Sequence, residues 1–244
     1  MDQIAPAALH ETDARVRRRK RLAALGMLLA VLIYGSNFVI SRHAVLNGLT
    51  QHDLMALRFA TAGLLLLPIF LRPGLASCGG VGWKRGLWLT LSSGFPMTYL
   101  MLTGLTMAPA AHGATIGPGT VTLIGIIGSV VMFGAALTGR LMVGVAGVLA
   151  GLICLGIAGS AGANAMTLRG DLCFLGVGLL WGFYPLMIQR WQVDGLRATA
   201  IVSVLSLVYL PVYFLFYFRG FDVAPWWVLA LHGFNQGVLN VIVG

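Results

Sequence analysis

Few residues in this chain can do chemistry, and most of them stand singly in apolar surroundings. Arg58, His112 and His232 are ionisable groups inside or beside long apolar stretches, and Asn37, Asn235, Gln236 and Asn240 are amides in the same setting. A hydrolase would need a serine nucleophile within hydrogen-bond reach of a histidine base. Ser36, Ser41, Ser92 or Ser93 can be paired on paper with His112 or His232, but none of them lies in a nucleophile motif. There is no HExxH sequence and no pair of carboxylates in a catalytic pattern. Cys78, Cys154 and Cys173 are far apart and form no CxxC or Cys/His cluster, so no metal and no cofactor is expected. Asp53 and Asp171 head apolar segments, where a carboxylate favours the positive end of a helix dipole. No carboxylate is left mid-span for a proton relay, and proton coupling would fall to His112, His232 or a group outside this chain's spans. The chemistry that remains is recognition of a solute by isolated polar groups, and an enzyme is not expected.

The elements that must position these groups are membrane helices. Of the 244 residues, 58% are hydrophobic and 9% charged, with a mean hydropathy of +0.89. A soluble domain carries about 25% charged residues because its surface faces water. The net charge of +9 does not point to nucleic acid, because six of the sixteen basic residues (Arg15, Arg17, Arg18, Arg19, Lys20 and Arg21) form one run before the first apolar segment. The others are scattered singly or in close pairs between apolar segments, as topology determinants are. A bilayer core needs about 20 apolar residues per helix. Eight segments qualify: 22–41, 53–71, 86–107, 113–136, 141–163, 171–189, 198–218 and 226–244. Thr50 with Asp53 reads as a capping box opening the second, Arg72-Pro73-Gly74 closes it, and Pro225 precedes the eighth at a permitted helix start. The first segment exceeds a signal peptide's apolar region of about 7–15 residues and reads as an uncleaved anchor. With the N-terminus inside, the inner segments hold twelve basic residues and the outer loops three, Arg42, Arg169 and Arg219. That bias places the N-terminus in the cytoplasm. Arginine outnumbers lysine fourteen to two, which suggests a bacterial inner membrane.

The spans carry an internal repeat. Tyr34-Gly35-Ser36-Asn37 can be laid on Trp181-Gly182-Phe183-Tyr184 at an offset of 147, and the same offset lays Gly48-Leu49 on Gly195-Leu196. Leu67-Pro68 matches Leu210-Pro211 after a deletion of four residues, close to one helical turn. The copies begin at the first and sixth spans, so the unit has five helices, and an odd unit inverts the second copy in the membrane. Inverted repeats are the architecture of secondary transporters, whose substrate site lies near the midplane at the repeat interface. The domains expected are a basic cytoplasmic tail (1–21), a first repeat (22–163) and an incomplete second repeat (170–244).

The stretch YGSNFVISRHAVLNGLTQHDLMALRFATAGLLLLP resembles the opening of the EamA-type drug/metabolite transporter superfamily. The run APAAHGATIGPGTVTL at 108–123 resembles the family's junction between third and fourth helices, and GDLCFLGVGLLWGFYPLMIQR at 170–190 its second repeat. The resemblance extends over residues 22–244 and implies a ten-helix transporter of small organic solutes, with export of amino acids or related metabolites as the family-level expectation. Two departures stand out. The chain ends at Gly244 with eight spans, so the last two helices of the second repeat are missing, whether as a fragment or a natural shortening. The fourth span ends Thr138-Gly139-Arg140 where the family commonly shows Gly-Glu, which removes any role resting on that glutamate.

The expected fold is therefore an all-α membrane protein, a polytopic bundle of eight transmembrane helices in two inverted five-helix repeats, the second incomplete. The candidate substrate-binding residues are Tyr34, Asn37, Arg58, Tyr99, His112, Thr115, Trp181, Tyr184, His232 and Gln236. Arg58 either snorkels to the outer surface or faces an anion, and Asn37 is either interhelical glue or a substrate contact. Tyr34, Trp181 and Tyr184 either face each other across the cavity or serve packing and the aromatic belt. His232, Gln236 and Asn240 share one face at i, i+4 spacing, which suggests a watery path or an edge left unpaired. Pro96 and Pro118 are candidate hinges, since broken helices free backbone groups near a site. Gly147-x-x-x-Gly151 is a helix-packing face within or between chains. The partners expected are a small-molecule substrate, the lipid bilayer and, as an open question, further copies of the chain; nucleic acid is not among them. The expected activity is secondary transport by alternating access, with a truncated, non-transporting membrane protein or an intramembrane hydrolase as the alternatives.

Overall fold

The computed structural model describes residues 5–160, 164–220 and 224–239, with side chains described from residue 18 onward except over 155–163. Asn240, the end of the eighth expected span and the side chains of Arg15 and Arg17 lie outside the described residues. Every regular element among the described residues is helical, as hydrocarbon demands: only a helix or a closed barrel satisfies its own backbone without water. The helices are α1 (Ala5–Leu46), α2 (Gln51–Leu71), α3 (Trp83–Ser93), α4 (Phe95–Met107), α5 (Ala110–Phe133), α6 (Gly139–Ser160), α7 (Ala165–Trp191), α8 (Gly195–Leu205), α9 (Tyr209–Phe216) and α10 (Trp226–Gly233). A π-helical turn, Phe234–Leu239, extends α10. Among the described residues five stretches are long and apolar enough to cross a membrane: Arg18–Leu46, Gln51–Leu71, Ala110–Phe133, Ala165–Trp191 and Gly195–Phe216.

Local sequence explains the boundaries. The Thr50 hydroxyl accepts from the Asp53 backbone N–H (3.3 Å) while the Thr50 N–H donates to the Asp53 carboxylate (2.7 Å), closing the expected capping box. At the other end of α2, the N–H of Arg72 donates to Pro68 O (3.3 Å), and Pro73 cannot continue the ladder. The span expected over 86–107 is divided at Gly94 into α3 and α4. Pro96 lacks the N–H a continuous helix would require and its ring would crowd the preceding turn. The Phe95 N–H freed by the break donates instead to Ser206 Oγ on the opposing helix (3.2 Å). Pro118 acts differently. The helix α5 runs through it unbroken, so the interruption expected there is absent. The segment expected over 198–218 is one stretch with a tight turn, Ser206–Val208, between α8 and α9.

The core lies where α2, α4, α7 and α9 converge with the lower half of α1, around Leu54, Met55, Phe59, Leu102, Leu105, Phe174 and Tyr213. The helices α5 and α7 pack closely where Gly178 faces Thr120 and Gly182 faces Ile124: a Cβ would stand 2.3 Å from Thr120 Cβ at the first and 2.6 Å from Ile124 Cβ at the second, inside contact distance. Outward-facing Leu22, Leu25, Met27, Leu28, Val31 and Leu32 on α1 are exposed, as a lipid-facing side requires. Among the described residues, the helix α6 packs chiefly against α5. No described atom lies within 4 Å of where a Cβ on Gly147 or Gly151 would stand, so these glycines make no described contact within the chain.

Candidate functional site

The site begins with a buried amide. Asn37 sits on α1 with 3% of its surface exposed, and its side-chain oxygen is the node of a polar network. It accepts from the Gln236 amide, from Asn235 Nδ2 (3.2 Å) and from Ser41 Oγ (3.3 Å). Gln236 Nε2 also donates to Ser41 Oγ (2.9 Å), and Gln236 Oε1 accepts from Arg58 Nη1 (3.1 Å). One line of contacts thus joins α2, the π-turn and α1. The close approach is made possible by Gly237, because any Cβ there would overlap Thr61 of α2. Arg58 does not snorkel outward; it turns inward to Gln236, with its guanidinium carbon 6.0 Å from the Phe59 ring centre.

Beside this network is a cavity of about 460 Å³ lined by residues of α1, α2, α3, α4, α5, α7 and α8. Tyr34, Asn37, Arg58, Trp181 and Tyr184 line it together with Pro118, Phe59, Met97, Met101 and Val177. The Tyr34 and Trp181 rings meet at 5.4 Å and 51°. The lining continues to Ile188, Gln189, Gly195 and Thr199, at the end of α7 and the start of α8. Five of the ten expected binding residues are thereby gathered around one space, and Gln236 reaches its edge through Arg58.

The other four lie elsewhere. Tyr99 stands beside His52 (ring centres 5.9 Å apart) in a cluster in which His52 stacks on Tyr217 (3.7 Å) and His52 Nδ1 meets the Tyr209 hydroxyl (2.6 Å). His112 Nδ1 pairs with Asp171 Oδ1 (2.8 Å), tying the start of α5 to α7. Thr115 is exposed and donates to its own helix at Ala111 O (2.8 Å). His232 is 1% exposed and, among the described residues, neither ring nitrogen has a hydrogen-bond partner. Pro96 stands at the α3–α4 break, and Pro118 lines the cavity from within a continuous helix.

Sequence reasoning missed the arrangement at the far end of the bundle. Asp53 does more than cap α2: its carboxylate also accepts from the Tyr213 hydroxyl (2.7 Å) and from Arg219 Nη2 (2.8 Å). Arg219 Nη2 donates to Gly48 O as well (3.0 Å), and Arg42 Nη1 donates to Leu105 O. The signal for these was slight: each basic residue stood singly at the end of a span and counted only toward topology. Among the described residues no serine hydroxyl is bonded to a histidine; Ser36 and Ser92 donate to backbone carbonyls, Ile33 O (2.8 Å) and Trp88 O (2.7 Å). No cluster of His, Cys, Asp or Glu able to hold a metal occurs among the described residues.

A bundle of long apolar helices, enclosing a cavity with a largely apolar lining and a few polar groups, defines a multi-pass membrane protein. The comparison with protein families agrees. The model of the EamA-like transporter family matches residues 21–157, more than half of the chain, and the chain belongs to that family of membrane transporters. A solved structure described only as "Crystal structure of protein" is 19% identical, with a TM-score of 0.54 over 87% of this chain and 78% of that one, a likeness of fold alone. No curated protein matches the chain.

Proposed function

We propose that this protein is a secondary transporter that moves small organic solutes by alternating access. The observation that carries the reading is the cavity itself: a charged guanidinium, two carboxamides and five aromatic side chains converge on one space within the apolar bundle. Burying a guanidinium in a membrane protein is costly unless a ligand or partner uses it. The architecture proposed is eight spans over residues 22–244, with a first five-helix repeat over 22–163 and a second, inverted repeat beginning at 170. Supporting it, the repeat offset pairs Tyr34 with Trp181, and those two rings touch across the cavity. The N-terminus is taken as cytoplasmic and the membrane as a bacterial inner membrane.

In that orientation the cavity lining runs toward the cytoplasmic ends of α7 and α8, near Arg190 and Arg197. The opposite end is held by Asp53 with Tyr213 and Arg219, by Arg42 on Leu105 O, and by His112 on Asp171. The conformation is thus read as open inward and latched outward, with the α3–α4 break at Pro96 as one flexing point. The test is counterflow in proteoliposomes carrying the full chain, with a panel of radiolabelled metabolites of differing charge. Flux above protein-free vesicles is expected for at least one solute, and Asn37→Ala should cut it by about tenfold or more while leaving membrane insertion intact. Failure of every solute to move would reject transport; full activity of Asn37→Ala would remove Asn37 from the site.

A further inference from the structure

Arg58 brings a full positive charge to the cavity. Among the described residues lining that cavity there is no aspartate or glutamate. The acids elsewhere are already engaged where their side chains are described: Asp53 by Tyr213 and Arg219, Asp171 by His112, and Asp194 by the backbone N–H of Arg197 at the start of α8 (3.1 Å). The other four acids of the chain are Asp2, ahead of α1 in the sequence, Glu11 and Asp13, near the N-terminal end of α1, and Asp222, between α9 and α10 in the sequence. The protein contacts of Arg58 are neutral: the Gln236 carbonyl oxygen at 3.1 Å and the face of Phe59 at 6.0 Å. A guanidinium carries five N–H donors in a planar fork. Gln236 takes one of them and, through Asn37 and Ser41, is itself held in place. The fork is oriented by neutral groups and its charge is left for something else to neutralise.

The rest of the lining is mostly apolar or aromatic, including Phe38, Phe59, Met97, Met101, Val177 and Val202. A single fixed charge beside an apolar chamber is complementary to a molecule with one anionic head and an apolar body. A doubly charged phosphate ester would bring one negative charge too many. An ammonium group would find no carboxylate. Resting on the reading of this cavity as the transport site, we infer that the cavity binds small organic monocarboxylates without a free ammonium group, the carboxylate engaging Arg58 and the apolar body lying against the methionines and aromatic rings.

Three compounds with nearly the same body separate the alternatives: 3-phenylpropionate is an anion, phenylalanine a zwitterion and phenethylamine a cation. Equilibrium binding of each radiolabelled compound is measured on the full chain in nanodiscs, for the natural protein, Arg58→Lys and Arg58→Gln, each first shown to be monodisperse and helical. The anion should bind at least about tenfold more tightly than the other two, since a hydrogen bond to a charged partner is at stake. Arg58→Gln should abolish that preference, and Arg58→Lys should retain part of it, because an ammonium keeps the charge without the bidentate fork. Equal or tighter binding of the amine or the amino acid would overturn the inference, as would a preference for the anion that survives Arg58→Gln. Counterflow with the same compounds separates this inference from the function it rests on. Arg58-dependent anion binding without flux would sink transport and keep the site. Flux of the amine or amino acid without anion binding would keep transport and sink the site.

Discussion

Tyr213→Phe and Arg219→Gln each remove one donor from the same carboxylate, and the structure says they should differ. Asp53 is 3% exposed and Tyr213 7%, so the 2.7 Å bond between them is shielded from water. A hydrogen bond to a charged group is worth about 1.5–3 kcal/mol, and the phenylalanine ring keeps the packing. Arg219 makes a contact of similar length, 2.8 Å, but 47% of its side chain is exposed. Half-exposed ion pairs contribute only about 0–1 kcal/mol, because solvent screens them and ordering a long side chain costs entropy. Loss of the hydroxyl should therefore lower stability by about 2 kcal/mol, roughly a thirtyfold change in the folded-to-unfolded ratio, and loss of the guanidinium by less than about 1 kcal/mol. Reversible SDS-induced unfolding in mixed micelles, followed by helicity, measures both. The reasoning is refuted if Arg219→Gln shifts the unfolding midpoint as far as Tyr213→Phe, since exposure would then not decide the strength of the contact.

Gly182→Val should push α5 away from α7, because the new Cβ would begin 2.6 Å from Ile124 Cβ; overpacking of this kind costs about 1–3 kcal/mol, read as a lower melting temperature in detergent. Ser206→Ala removes the acceptor of the Phe95 N–H at the α3–α4 break. It should cost about 1 kcal/mol and speed amide exchange at Phe95, whereas unchanged exchange there would show that another group holds the break.

The helical class and the membrane setting were legible because both follow from the extent of apolar runs, which needs no tertiary information. The α2 cap was legible for the same reason: Thr50 and Asp53 are three residues apart and their contacts are local. Tyr34, Asn37, Arg58, Trp181 and Tyr184 could be nominated because polar and aromatic groups were rare in their spans and the repeat put Tyr34 in register with Trp181 and Asn37 with Tyr184. What the one-dimensional pattern lacked was azimuth. Thr115 was a candidate binding residue, yet it is exposed on α5 and bonds back to Ala111 O. Arg58 lay close enough to a span end to snorkel, and only the position of Gln236, 178 residues away in sequence, turns it inward. Pro118 and Pro96 carry the same local signal for a break. Only Pro96 has an opposing hydroxyl, Ser206, placed to take the freed N–H of its neighbour, and only there does the helix divide.

The π-turn at Phe234–Leu239 sets the direction of the carboxamides it carries. Each residue advances an α-helix by about 100°, so a turn with one residue too many acts as a built-in slip of gear. Asn235 and Gln236, both inside this turn, are aimed at Asn37 by that slip. Were the turn to tighten to α-helical pitch, a carboxamide within it would rotate about the axis by up to about 100° and swing away from Arg58. The grip on the guanidinium is thus tied to helical register, and a rotation that moves no helix sideways suffices to loosen it.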